Sequence, residues 1–128
     1  MEILASRVLV RPADYERSLR FYRDDIGLAI AREYGAGTVF YAGQSLIEIA
    51  GHGTPSTGTA SFPGGLWLQV RDVYATQGEF ERRGVPIARA AKEEPWGLHE
   101  LHVTDPDGMT LIFVQVPDDH PLRHDTRN

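Results

Sequence analysis

Residues 10 to 22, Val10-Arg11-Pro12-Ala13-Asp14-Tyr15-Glu16-Arg17-Ser18-Leu19-Arg20-Phe21-Tyr22, carry the transition on which the fold reading rests. They close an alternating run, Arg7-Val8-Leu9-Val10-Arg11, whose period of two is that of a strand. Pro12-Ala13-Asp14 stops the strand, and aspartate is a residue type whose carboxylate caps a helix N-terminus. Tyr15, Leu19, Tyr22 and Ile26 then recur at i, i+4, i+7 and i+11, one apolar stripe on a helix that Gly27 ends. Three strand-like runs follow: Leu28 to Glu33, Thr38 to Tyr41 and Ser45 to Ile49. Gly35-Ala36-Gly37 and Ala42-Gly43 supply the turns between them.

Working outward, the same order recurs. From Gly51 to Gly65 the composition shifts to Gly, Thr, Ser and Pro, a linker over residues 51–64 or a mobile loop. Leu66 to Arg71 reads as a strand and Asp72 as a cap, with Val73, Gln77 and Phe80 at helical spacing and Gly84 as the stop. Strands are expected at Pro86 to Ala90, His99 to Thr104 and Met109 to Val116. Ile30-Ala31-Arg32 and Ile87-Ala88-Arg89 lie at matching places after their glycines. Asp105-Pro106-Asp107-Gly108 turns the last pair, with proline where a fixed φ is accepted and glycine where positive φ costs little. The pattern is β-α-β-β-β twice, in modules of about 3–50 and 65–116. A half of about 55 residues buries too little surface to stand alone, so one domain over 1–116 with a shared core is expected. Residues 117–128 form a polar tail, expected to be mobile or laid on a partner chain.

Composition bounds the function. A chain of 128 residues holds one ordinary domain. Thirteen basic against eighteen acidic residues leave −5, a poor balance for binding nucleic acid. Even Leu66-Trp67-Leu68-Gln69-Val70 is soon broken by Arg71 and Asp72, so no membrane span is expected. The start lacks the basic-apolar-small order of a signal peptide, and no cysteine is present for a disulfide, a thiolate metal site or a nucleophile. A cytoplasmic protein is expected.

The residues 10–22, with Asp14, Ser18, Phe21 and Tyr22 in an Asp-x-x-x-Ser-x-x-Phe-Tyr pattern and the helix exit Ile26-Gly27-Leu28, resemble the opening of the vicinal oxygen chelate superfamily. Asp105-Pro106-Asp107-Gly108 before a terminal apolar strand resembles its close. That superfamily includes glyoxalases, extradiol dioxygenases, fosfomycin-modifying enzymes and bleomycin resistance proteins. The resemblance covers residues 3–116 and implies an α+β fold: tandem βαβββ modules, a curved mixed sheet forming a cup, and helices on its convex side. A homodimer is expected, because a half-cup leaves strand edges and apolar surface uncovered.

Strand parity sorts the faces without any relative. Val8 and Val10 oppose Arg7, Leu9 and Arg11; Ile47 and Ile49 oppose Leu46 and Glu48. Leu66, Leu68 and Val70 oppose Trp67 and Gln69; Leu101 and Val103 oppose Glu100, His102 and Thr104. The aliphatic faces should pack on the helices. The mixed faces, with Arg7, Glu48, Trp67, Gln69, Glu100 and His102, suit a pocket better than a core. Arg7 and Glu48 have a structural alternative, an ion pair across the cup.

Metal-dependent members place histidine and glutamate ligands at four strand positions. By resemblance these fall here on Arg7, Glu48, near Gly65 and on Ile112, of which only Glu48 is a donor. No metal or other cofactor is therefore expected at that site, although Glu48, Glu100 and His102 would make a displaced ligand set. His52, His99, His120 and His124 read as solvated surface residues. Glu94-Pro95-Trp96-Gly97 followed by Glu100 resembles the metal-free bleomycin resistance proteins, which also carry tryptophans in the strand matching Trp67 and Gln69; here Gln69 replaces the second one. Trp67 and Trp96 would clamp a planar ring, with Arg7, Tyr41, Glu48, Gln69, Glu100 and His102 as the rest of the ligand-binding set. The alternative for Trp96 is that it only packs its loop onto the sheet. The leading expectation is a binding protein that sequesters an aromatic or cationic small molecule such as an antibiotic. The alternative is an enzyme of lyase, transferase or dioxygenase type, with Glu100, His102 and Glu48 as candidate acid-base residues or displaced metal ligands.

Overall fold

Asp14 and Asp72 each open a helix from extended backbone, at φ −132° and −143°. The Asp14 carboxylate accepts the Arg17 amide, and the Asp72 carboxylate accepts those of Tyr74 and Ala75. Both thereby satisfy donors that a helix N-terminus leaves orphaned. Gly27 and Gly84 follow the helices at φ +84° and +74°, where a side chain would be strained. The computed structural model describes residues 1–53 and 63–123, so most of the expected linker and His124 lie outside the described residues.

The chain forms two compact units: Met1–Pro63 with Asp105–Met109, and Gly64–Thr104 with Thr110–Asn128. Unit 1 holds β1 (Val8–Val10), α1 (Tyr15–Arg20), which widens into a π-helical stretch over Phe21–Ile26, then β2 (Ile30–Tyr34), β3 (Gly37–Ala42) and β4 (Ser45–Ala50). Its sheet runs β1-β4-β3-β2, with β1 parallel to β4 and the other pairs antiparallel. Unit 2 holds β5 (Gly65–Gln69), α2 (Val73–Arg82), β6 (Arg89–Glu93), β7 (His99–Thr104) and β8 (Thr110–Gln115). Its sheet runs β5-β8-β7-β6 with the same alternation. The fold is α+β, two four-stranded mixed sheets of identical topology. No helix among the described residues is long and apolar enough to cross a membrane.

The aliphatic strand faces meet the helices as parity requires. In unit 1 Tyr22 lies 6.3 Å from Phe40, centroid to centroid, above buried Ile47 and Ile49. In unit 2 Phe80 meets Phe113 edge-on at 5.0 Å, beside Leu101, Val103 and Leu111. Burying each such side chain contributes about 1.5–3 kcal/mol.

Two expectations need correction. The strand placed at Pro86 to Ala90 begins at Arg89: Pro86 has no N–H, and an irregularity between Arg89 and Lys92 shifts the pairing, as another does between Ile30 and Arg32. The tail is not free over its first part. Pro117 to Arg123 turns back, ending in a short 3-10 turn (Pro121–Arg123), and His120 bonds the Trp96 carbonyl of its own chain at 3.0 Å.

The turn between β7 and β8 belongs to unit 1. The Asp105 carboxylate is buried and accepts three hydrogen bonds, from Tyr22 Oη at 2.8 Å and from the amides of Asp107 and Met109. Asp107 accepts from the Ala13 amide at 2.9 Å and from Ser18 Oγ at 3.1 Å. Burial first, then Asp105, pushes the Tyr22 phenol well above its ordinary range, so it remains the donor. Tyr22→Phe keeps the ring in the core but strips Asp105 Oδ2 of its partner. It should cost about 1–3 kcal/mol in urea unfolding; an unchanged midpoint would show that the carboxylate does not depend on the phenol.

Candidate functional site

The mixed face of unit 2 is set out by cross-strand register. Trp67 on β5 pairs with Ile112 on β8, which pairs with His102 on β7, which pairs with Arg89 on β6. The next row is Gln69, Val114, Glu100 and Lys92. Directly paired residues share a face, so Trp67, Gln69, Glu100 and His102 stand together as expected. Between them in these rows, Val114 joins Leu98 and Val116 in a small buried cluster against Ile112. Trp67 remains 46% exposed.

Trp96 enters the same face from the hairpin loop between β6 and β7. Gly97 N–H bonds the Glu94 carbonyl and Glu94 N–H bonds the Leu98 carbonyl, at 2.9 and 2.7 Å, with Gly97 at φ +89°. This is the three-residue loop that ends on a left-handed glycine. Glu94 is buried and ion-paired with Arg89, which anchors the loop's first residue. Trp96 Nε1 donates to Glu100 Oε2 at 3.0 Å. The indole is thus oriented by its N–H while 57% exposed, which goes against a purely packing role. Glu100 itself is only 8% exposed, and its Oε1 lies 3.4 Å from His102 Nε2. Indole, carboxylate and imidazole form one short chain.

In unit 1, Leu9, Glu48, Val39 and Arg32 form one row across the sheet, and Tyr41 pairs with Leu46 on the same face. Arg7, the residue before β1, donates from Nη1 to Glu48 Oε1 on the neighbouring strand β4 at 2.8 Å, an ion pair within unit 1. Tyr34 Oη donates to Glu48 Oε2 at 2.5 Å and meets His52 Nε2 at 3.1 Å. The Tyr34 bond, then the Arg7 bond, hold the Glu48 carboxyl below its usual range, and the same bond raises the Tyr34 phenol. Glu48 is therefore bonded on both oxygens. Tyr41 is exposed.

The model of the Glyoxalase/Bleomycin resistance protein/Dioxygenase superfamily matches residues 5–113. The chain belongs to that superfamily. Solved structures agree on the fold. A glyoxalase/bleomycin resistance protein from Catenulispora acidiphila is similar at 24% identity and TM-score 0.68, over 90% of this chain and 100% of that one. A glyoxalase/bleomycin resistance protein/dioxygenase from Nocardioides is similar at 12% identity and TM-score 0.71, over 93% and 87%. A lactoylglutathione lyase from Agrobacterium tumefaciens is similar at 18% identity and TM-score 0.65, over 89% and 92%. No curated protein matches the chain.

The residues at the superfamily's metal positions do not fit a divalent ion. Arg7 places a guanidinium on the only carboxylate of the set. In unit 2 the Ile112 side chain lies 3.3 Å from where a Cβ on Gly65 would stand, so these two positions offer hydrocarbon and no donor. Among the described residues, no group of three or more His, Asp or Glu is placed to hold a metal ion.

Three histidines expected to be merely solvated have partners: His52 with Tyr34, His99 Nδ1 with Tyr74 Oη at 2.6 Å, and His120 with Trp96. The strand expected to end at Glu33 runs one residue further and includes Tyr34. Its available signal was the Gly35-Ala36-Gly37 turn, which sets Tyr34 opposite Gly37, where any Cβ would fall on the tyrosine ring. Tyr34→Phe should raise the Glu48 pKa towards the ordinary value of about 4.3, read by carbon NMR of the carboxyl. A carboxylate more acidic in the folded state stabilises fully above its unfolded pKa and loses that contribution as pH falls through the folded one. The parent's advantage over Tyr34→Phe should accordingly shrink on acidification below about pH 4.3. An unmoved Glu48 titration would contradict the assignment.

Proposed function

We propose that this protein binds a small planar aromatic molecule on the mixed face of unit 2 and sequesters it without metal chemistry, as a cytoplasmic homodimer. This is the role of the metal-free bleomycin-resistance-like members, with an antibiotic as one ligand of suitable chemistry. The observation that carries the reading is the Trp96 indole, held by Glu100 yet more than half exposed. An oriented aromatic surface loses little freedom when a ring stacks on it, which favours affinity. Trp67, Gln69 and His102 on the same face supply a second ring and hydrogen-bonding groups. Glu48 is already paired with the Arg7 guanidinium, whereas Glu100 contacts an indole and an imidazole, so Glu100 is the carboxylate suited to a cationic substituent. Arg7 and Tyr41, expected in the ligand set, belong to unit 1 and are left out of this unit 2 site.

Enzyme chemistry is the second reading, favoured by one observation: the buried Glu100 carboxylate 3.4 Å from His102, an arrangement that can orient an imidazole for proton transfer.

The experiment is a screen of planar aromatic compounds by tryptophan fluorescence, with elemental analysis of the purified protein. Trp67→Ala and Trp96→Ala should each weaken a hit about tenfold, the equivalent of 1.4 kcal/mol. Glu100→Gln should weaken cationic hits more than neutral ones, and added salt should narrow the difference. Parent-like affinity in both tryptophan variants, or stoichiometric metal in the protein, would defeat the binding reading. Product formation lost in His102→Ala with affinity kept would establish the enzyme reading.

A further inference from the structure

Trp96 is held at two points, and only one of them is in the sheet. Its ring is fixed by Glu100; its backbone carbonyl accepts from His120 Nε2 at 3.0 Å. His120 lies in the segment after β8, far from Trp96 in sequence. Its imidazole is itself oriented: Nδ1 accepts the Leu122 amide at 3.2 Å, which assigns the proton to Nε2 and makes that nitrogen the donor to Trp96. The ring also sits against Gly97. A Cβ at Gly97 would stand 3.2 Å from His120 Cδ2, so the glycine both takes the positive φ of the loop and leaves room for the imidazole.

We propose that His120 is a positioning residue for Trp96: the C-terminal segment straps the Glu94–Leu98 loop so that the exposed indole keeps one orientation before ligand arrives. This rests on the reading of Trp96 as a ligand-stacking surface. The two contacts divide the task. Glu100 sets the rotation of the ring, and His120 sets the backbone from which the ring projects. The tip of this loop, Pro95–Gly97, carries little buried apolar area, so one backbone hydrogen bond governs a sizeable part of the tip's closed population.

Hydrogen exchange by NMR on the full chain without ligand tests this. In His120→Ala, the Trp96 indole proton and the Gly97 amide should exchange about two- to tenfold faster, the factor one net hydrogen bond supplies. The amides of Leu101 and Val103, deep in β7, should be unchanged. His120→Gln, which can still present an N–H to the Trp96 carbonyl, should restore slow exchange. Unchanged exchange in His120→Ala would overturn the proposal. Acceleration that spreads equally to Leu101 and Val103, or that His120→Gln fails to correct, would overturn it too, by showing general loosening or simple bulk. Because no ligand enters the measurement, its outcome is independent of whether Trp96→Ala weakens binding.

Discussion

The buried Asp105 carboxylate is the constraint on which much of this architecture depends. A buried charge is tolerated only when its oxygens are fully used. Here they are: Tyr22 serves one oxygen, and the turn's own amides at Asp107 and Met109 serve the other. With Ser18 and Ala13 on Asp107, and Arg17 Nη2 donating to the Pro106 carbonyl at 3.5 Å, the β7–β8 turn is bonded at four points to helix α1, its approach and the π-helical stretch that continues it. Two sequence motifs some ninety residues apart thus turn out to be one structural object. Ser18 and Tyr22 lie four apart, one helical turn, which presents both hydroxyls to the same turn.

That object explains what was legible. Strands, caps and stops follow from local rules, and Asp14, Asp72, Gly27 and Gly84 obey them closely. The duplication was legible because each half repeats strand, cap, helix and glycine in the same order. Strand parity also held: Ile47, Ile49, Leu101 and Val103 are buried, while Trp67 and Gln69 are exposed. The start of β6 was not legible, because pairing across an irregularity is decided by the neighbouring strand and leaves no periodic trace.

For the site, residue type and face were legible but pairing was not. Sequence marks Glu48 and Glu100 as equivalent acids on strands. Their neighbours make them different: Glu48 is spent on Arg7 and Tyr34, while Glu100 holds an indole and faces an imidazole. The roles of Tyr34 and His120 were not legible because each acts through a partner that only register or chain reversal brings near. A lone histidine in a polar tail carries no periodicity to read.

The loops Glu94-Pro95-Trp96-Gly97-Leu98 and Asp105-Pro106-Asp107-Gly108-Met109 close with the same pair of backbone bonds and the same left-handed glycine, at φ +89° and +93°. Acid, proline and glycine define the frame, and the residue before the glycine is its free position. One copy carries an aspartate and serves folding; the other carries a tryptophan and faces outward. A frame held by backbone and flanking residues lets its third position vary without disturbing the hairpin. A substitution at position 96 therefore changes which side chain the hairpin presents while the backbone bonds that close the loop stay in place.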